Sequence, residues 1–414
     1  MIRMEPVLAP NARNGGASVS VEPPAGDEYL SAAEAMKFLG VSAQTLYAYV
    51  SRKGIRSRPI PGSRQRRYWK SDLEQLRQKR PFLERGVPEY TRQSEITLIA
   101  EHALFYRGQD AAKLAQTASF ETVAALLWGI PAAQVFEDVP PKTPPTWSRL
   151  NKLLAAESTI NRATAILPLF EVANPRSFDL SHSGMARTGA DILRALAAIT
   201  VRAEKPTSEP IHVFLARELK LSGVKADLIR RLLVLSADHG FEPGVHAVRA
   251  LASTGVTPWR AVIGGISVIL GRRGKLADFD SISRLVREII ASPEPRSVIV
   301  QRMRVSDSLP GFGSLQYPRG DPRARALLNY CREVFPKDKA LLRLSQAVQT
   351  AKDINGAEPG LALASIVIGI KLGFEPGFSL FHIARAAGWI AHAIEQYQYG
   401  EVKREKGLYR GPLP

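Results

Sequence analysis

Apolar residues recur three and four positions apart along most of the 414-residue chain, in stretches separated by Pro- and Gly-rich joints. That period gathers apolar side chains on one helix face. It predicts helices over Phe120–Trp128, Ala190–Thr200, Lys225–Ser236, Val245–Ser253, Trp259–Leu270, Phe279–Ala291, Arg323–Val334 and Phe378–Tyr397. Strand-like alternation is scarce, and its clearest instance is the short basic segment Arg56–Trp69, with Pro61-Gly62 as a turn between two arms. The longest apolar runs, Ala261–Leu270 and Leu361–Ile370, hold ten residues each, half of the roughly 20 that a membrane-spanning helix needs. The expected fold is mainly α, with no membrane partner.

Near the N-terminus the pattern is tighter. Tyr29-Leu30-Ser31-Ala32-Ala33-Glu34 begins a helix with a capping box, because Ser31 can accept from a backbone N–H three residues on while Glu34 reaches back. Gly40 supplies a turn, Ser42 caps a second helix, and Ala35, Leu39, Val41, Leu46 and Val50 pack the two together. This is helix-turn-helix spacing. The second helix presents Ala43, Gln44, Thr45, Tyr47 and Ala48, short or polar side chains able to approach base edges in a major groove.

Charge sharpens that reading. The chain carries a formal +17, so an anionic partner is expected. Residues 28–80 hold twelve Lys and Arg against four Asp and Glu, a net +8. Between Ser51 and Lys70 lie eight basic residues and no acidic one, among them Arg52, Lys53, Arg56, Arg58, Arg64, Arg66 and Arg67. Together with Gln44, Thr45 and Tyr47 these are the expected contacts to double-stranded DNA, the basic ones to phosphates. A solvated basic hairpin, or a protein-binding unit, is the alternative.

The arrangement resembles the MerR-type winged helix-turn-helix, on Leu30, Glu34, Leu39-Gly40-Val41-Ser42, Thr45-Leu46 and Arg66-Arg67-Tyr68. That family's Arg after Thr-Leu is Tyr47 here, so base choice does not carry over. The resulting organisation is a disordered tail (1–27), a DNA-binding unit (28–80), a linker (81–93) and a large domain (94–414). The single cysteine, Cys331, excludes an intrachain disulfide and a multi-cysteine zinc site. With no apolar secretory stretch in the first 27 residues, the expected compartment is the cytoplasm. The remaining histidines are scattered without ligand spacing, so no metal is expected.

From Ser94 onward the chain resembles citrate synthase. The resemblance runs through Ser94-Glu95-Ile96, Tyr106-Arg107-Gly108, Ser119-Phe120-Glu121, Ala237-Asp238-His239 and Ala252-Ser253-Thr254-Gly255. It continues through Pro310-Gly311-Phe312-Gly313, Asp321-Pro322-Arg323-Ala324, Ala384-Arg385 with Gly388-Trp389-Ile390-Ala391-His392, and the closing Leu408-Tyr409. Members of that family are all-helical homodimers that condense acetyl-CoA with oxaloacetate, using an Asp as base and two His as acids. The resemblance therefore implies large and small helical subdomains and a homodimer.

The catalytic groups do not carry over. The family's Gly-Pro-x-His-Gly-Gly stretch matches Gly271-Arg272-Arg273-Gly274-Lys275, with Gly274 at the histidine, and no His occurs between His246 and His382. The second His, after Pro-Gly-Phe-Gly, is Ser314, and the catalytic Asp is Ala362. Lys275 is the one titratable group nearby, and a solvated loop lysine is its plainer reading. The residues that grip the dicarboxylate keep their types as His239, Arg323, Arg385 and Arg404, so charge-assisted bonds to carboxylates are implied. Taken singly, Arg385 could instead be an ion-pair strut and His239 a satisfied buried imidazole. After His239 the family's Glu-x-Asn-Ala-Ser is replaced by Gly240-Phe241-Glu242-Pro243-Gly244.

The expected function is a DNA-binding regulator whose catalytically degenerate domain dimerises and senses a di- or tricarboxylate, such as oxaloacetate or citrate, or an acyl-CoA. No cofactor is required, and acetyl-CoA or another acyl-CoA is a candidate ligand. A citrate or methylcitrate synthase, condensing acetyl-CoA or propionyl-CoA with oxaloacetate, is the rival. A dimerising scaffold that binds nothing is a third reading.

Overall fold

A computed structural model of the chain describes residues 29–53, 55–60, 62, 63, 65–70, 72–74, 76, 94–269, 271, 279–305, 309–314, 316–374 and 380–399. The chain divides into two compact units, Met1–Thr91 and Arg92–Pro414. Several sequence features lie outside the described residues: the tail 1–27, Pro61, Arg64, the linker 81–93, the Gly274-Lys275 stretch, Arg404 and the closing Leu408-Tyr409. The same holds for the side chains of Arg52 and Lys53.

In the first unit, helices α1 (Ala32–Leu39) and α2 (Ala43–Lys53) are joined by Gly40, whose left-handed φ of 61° only glycine adopts freely. Strands β1 (Tyr29–Ser31), β2 (Ser57–Pro59) and β3 (Arg66–Trp69) form an antiparallel sheet in the order β1-β3-β2. The capping box forms as the sequence implies: Ser31 Oγ accepts from Glu34 N, and Glu34 Oε2 accepts from Ser31 N at 2.8 Å. One expectation needs correction. Tyr29-Leu30-Ser31 is a strand and not the first turn of the helix, because three residues are too short to show a period and Leu30 is paired opposite Tyr68. Ala35, Leu39, Leu46, Ile55, Tyr68 and Leu73 make the unit's own core.

The second unit is helical around a large apolar core, with one small sheet among the described residues. Phe279–Ala291 is a helix with the bounds the period gives, and Val224–Ser236, Pro243–Ala252, Pro258–Ile269 and Pro322–Val334 differ by a residue or two. Ala190–Thr200 proves to be the inner part of His182–Val201. Its first turns carry Gly184 and Gly189, poor helix formers. A Cβ on Gly184 would stand 2.1 Å from Asp179 Cγ, and one on Gly189 3.0 Å from Trp128 Cζ2, so close packing selects glycine there.

The sheet of β4 (Thr97–Ile99), β5 (Leu104–Tyr106) and β6 (Gln109–Asp110) has strands too short for a period to be read. Its β5–β6 turn is carried by Arg107 (φ 43°) and Gly108 (φ 81°), the positive pair that a tight hairpin needs. Among the described residues no helix is long and apolar enough to cross a membrane.

Candidate functional site

In the large unit, four segments bring the retained polar residues together. The helix Phe381–Tyr399 carries Arg385 and His392, and it is buried along nearly its whole length. It closes on Ala237-Asp238 through Gly388, whose N–H donates to Ala237 O at 3.1 Å. A Cβ on Gly388 would lie 2.3 Å from Asp238 Oδ1. Asp238 accepts from Thr97 Oγ1 at 2.6 Å and from Gly240 N at 2.9 Å, and its Oδ1 lies 3.4 Å from His392 Nε2. Burial opposes its ionisation, but His392, Arg385 and Thr97 outweigh burial and hold its carboxyl well below the usual range.

His239, the next residue, is 6% exposed and shares a 3.0 Å hydrogen bond between Nε2 and Tyr317 Oη. Arg323, at 5% exposure, pairs with Asp321 through Nε at 2.9 Å and Nη2 at 2.8 Å, and its guanidinium lies 5.4 Å from the Tyr317 ring centroid. Asp321 Oδ2 also accepts from Leu361 N at 3.2 Å, which ties Arg323 to the turn before Ala362. Ser314 stands on a loop joined to that same turn: Gly360 N donates to Gly311 O, and Gly313 N to Glu358 O, both at 2.8 Å. The Ser314 hydroxyl donates to Gln316 Oε1 at 3.3 Å.

Satisfaction is incomplete at Asp238 Oδ1, at the His392 ring and at Arg385. Arg385 is 2% exposed, yet its Nε and Nη1 are buried with no hydrogen-bond acceptor among the described residues. Its contacts are Glu242, at 3.4 Å from Nε to Oε1, and the Phe381 ring, 4.8 Å from centroid to Cζ. The charges of Arg385 and Arg323 both act on the buried phenols of Tyr106 and Tyr317. Burial nonetheless pushes the Tyr106 phenol up to about 12, so it stays a neutral donor, bonded to Val234 O and Asp238 O.

His239, Arg323 and Arg385 are thus linked through Tyr317, Tyr106 and Asp238, and the segments bearing Ser314 and Ala362 are bonded to each other. Sequence reasoning missed Tyr106, Tyr317, Asp321 and Glu242 as members of this cluster. Tyr106 and Asp321 stood in matched motifs without a role, whereas Tyr317 offered only an aromatic in a polar loop. Among the described residues no group of three or more His, Cys, Asp or Glu could hold a metal ion.

The family profile described as citrate synthase, C-terminal domain, matches residues 85–406. The chain belongs to the citrate synthase family. A helix-turn-helix domain profile matches residues 29–81, so a helix-turn-helix domain is fused to the citrate synthase domain. Citrate synthase 2 of Bacillus subtilis is 21% identical over 351 residues, 77% of this chain and 93% of that protein. A 2-methylcitrate synthase 2 of Corynebacterium glutamicum is 27% identical over 217 residues, 50% of this chain and 52% of its own length. Among solved structures, citrate synthase of Thermotoga maritima superposes with a TM-score of 0.65 at 23% identity, over 79% of this chain and 95% of that one. Citrate synthase of Thermoplasma acidophilum, solved as a ternary complex with carboxymethyl coenzyme A and oxaloacetate, gives 0.65 at 18%, with the same coverage. At these identities the structures establish the citrate synthase fold.

In the helix-turn-helix domain, Gln44 and Tyr47 project from α2 into solvent, Tyr47 at 58% exposure, and Thr45 is half-buried against Ser42. The arginines of the wing differ in freedom. Arg56 forks onto Asp72 through Nε at 3.1 Å and Nη2 at 2.8 Å, Arg58 lies over the Tyr29 ring at 4.0 Å, and Arg66 bonds Ser57. Arg67 is exposed on the same sheet and makes no side-chain hydrogen bond or ion pair among the described residues.

Proposed function

We propose that the protein is a DNA-binding regulator whose citrate synthase domain binds a di- or tricarboxylate, or an acyl-CoA, without turning it over. The observation that carries this reading is Arg385, a guanidinium 98% removed from solvent whose Nε and Nη1 lack acceptors among the described residues. Buried guanidinium N–H groups without acceptors are costly even beside a counterion at 3.4 Å, and a ligand carboxylate would supply the missing acceptors as a short charge-assisted pair. Arg323 and His239 belong to the same cluster, and the Thermoplasma relative holds oxaloacetate in its ternary complex. Ser314 and Ala362, on the two bonded segments, offer neither the acid nor the base that the condensation needs.

The helix-turn-helix domain gives this binding an output. A ligand that prefers one form of the domain shifts the population of that form, and DNA affinity changes by the same coupling free energy. A homodimer would present two readers, as paired half-sites about 34–36 Å apart require.

The test is a thermal-shift titration with oxaloacetate, citrate and 2-methylcitrate. The wild-type chain is expected to melt higher with at least one of them, and Arg385→Ala to abolish that rise. An unchanged melting temperature with all three, and with acetyl-CoA, would leave only the scaffold reading. The names of the relatives favour the rival, an active citrate or methylcitrate synthase, and turnover assays separate the two.

A further inference from the structure

Arg385 has an acidic neighbour of its own. Glu242 Oε1 lies 3.4 Å from Arg385 Nε, and the Glu242 side chain is 24% exposed where that of Arg385 is 2%. This is an ion pair and not a hydrogen bond, since Nε remains without an acceptor among the described residues. Glu242 occupies the N-cap position of the helix Pro243–Ala252, yet its side chain makes no capping bond. Its carboxylate is spent on Arg385 instead.

The sequence adds an independent point. In the citrate synthase pattern the third residue after the binding histidine is Asn, within Glu-x-Asn-Ala-Ser, and here that position is Glu242. Where the resemblance implies a neutral amide, this chain places a carboxylate 3.4 Å from a guanidinium expected to grip a ligand.

We propose that Glu242 determines affinity and specificity at this site: it is an internal counterion that competes with the ligand's carboxylate for Arg385. The proposal rests on the reading of the citrate synthase domain as a carboxylate sensor. Two carboxylates cannot share one fork without repulsion, and the repulsion is strong where solvent screens little. An incoming ligand must therefore displace Glu242 or bind beside it. Binding is weaker than the bare site would give, and most weakened for the ligand of highest charge. Displacement also alters the contact at the head of the Pro243–Ala252 helix, which gives the bound and free forms a physical difference for a sensor to use.

Calorimetric titration of the full chain tests this, with citrate, oxaloacetate and the monoanion pyruvate as probes. Glu242→Gln, and separately Glu242→Asn, are expected to tighten citrate by about tenfold or more, oxaloacetate by less and pyruvate least. Melting of each variant without ligand verifies that it is folded. If wild type binds and both substitutions leave every Kd within about twofold, or change all three equally, the role of Glu242 is overturned while the sensor stands. If wild type and both variants bind none of the probes, the sensor reading falls with it.

Discussion

Two residues on the Phe381–Tyr399 helix show what burial demands of single side chains. His382 is 1% exposed, shares a 2.9 Å hydrogen bond between Nε2 and Thr200 Oγ1, and is pushed down to about 4 by burial and by the charge of Arg162. Its folded pKa lies below its unfolded value of about 6.5, so between about pH 6.5 and 4 the unfolded chain binds a proton that the native one refuses. The stability it protects is present above pH 6.5 and is lost as pH falls through that window, by on the order of 3 kcal/mol. Urea denaturation at pH 7 and pH 4.5 should therefore show a smaller loss for His382→Gln than for wild type. An equal loss would mean His382 does not titrate across this range. Gly388 is constrained sterically. Gly388→Ala drives a methyl toward Asp238 Oδ1, 2.3 Å from the ideal Cβ, and should destabilise by about 2–3 kcal/mol in the same assay. Three members of the candidate cluster were legible at this scale, since His239, Arg323 and Arg385 stand in matched motifs. Tyr317, Asp321 and Glu242 were not, because nothing in a linear pattern tells which carboxylate a buried arginine already holds.

At the scale of elements, legibility was uneven among the helices and poor for the short strands. Phe120–Trp128 and Phe279–Ala291 were read with their own bounds, whereas Ala190–Thr200 caught only the inner part of His182–Val201, and Thr159–Ala173 and Lys339–Asn355 were not singled out. Strands of two to four residues, such as β1 and β4–β6, were missed because no period can emerge from them. The wing was legible from its charge and its turn, though not the internal use of its arginines. Arg56 is bound to Asp72 and Arg66 to Ser57, whereas Arg67 is exposed and makes no side-chain hydrogen bond or ion pair among the described residues. DNA binding by this domain is expected to weaken with salt by a log–log slope of about −0.9 per phosphate contact. Arg67→Ala should reduce that slope by about one contact, as read by fluorescence anisotropy on duplex DNA at several salt concentrations. A slope near zero for wild type would remove DNA as the partner.

For the whole molecule, the +17 charge divides by use. A net +8 lies in residues 28–80, with the spacing of a DNA reader, and in the citrate synthase domain the buried Arg323 and Arg385 stand beside Asp321 and Glu242. The proposed function has the citrate synthase domain bind without catalysis, on the expectation from the sequence that Gly274, Ser314 and Ala362 stand where the family has its two acids and its base. Thiol release from acetyl-CoA or propionyl-CoA with oxaloacetate tests it most directly, at ligand concentrations that give a full thermal shift. The rate should match the uncatalysed background for wild type and for Arg385→Ala alike. A rate well above background that falls on Arg385→Ala would contradict the claim and make the protein a working synthase.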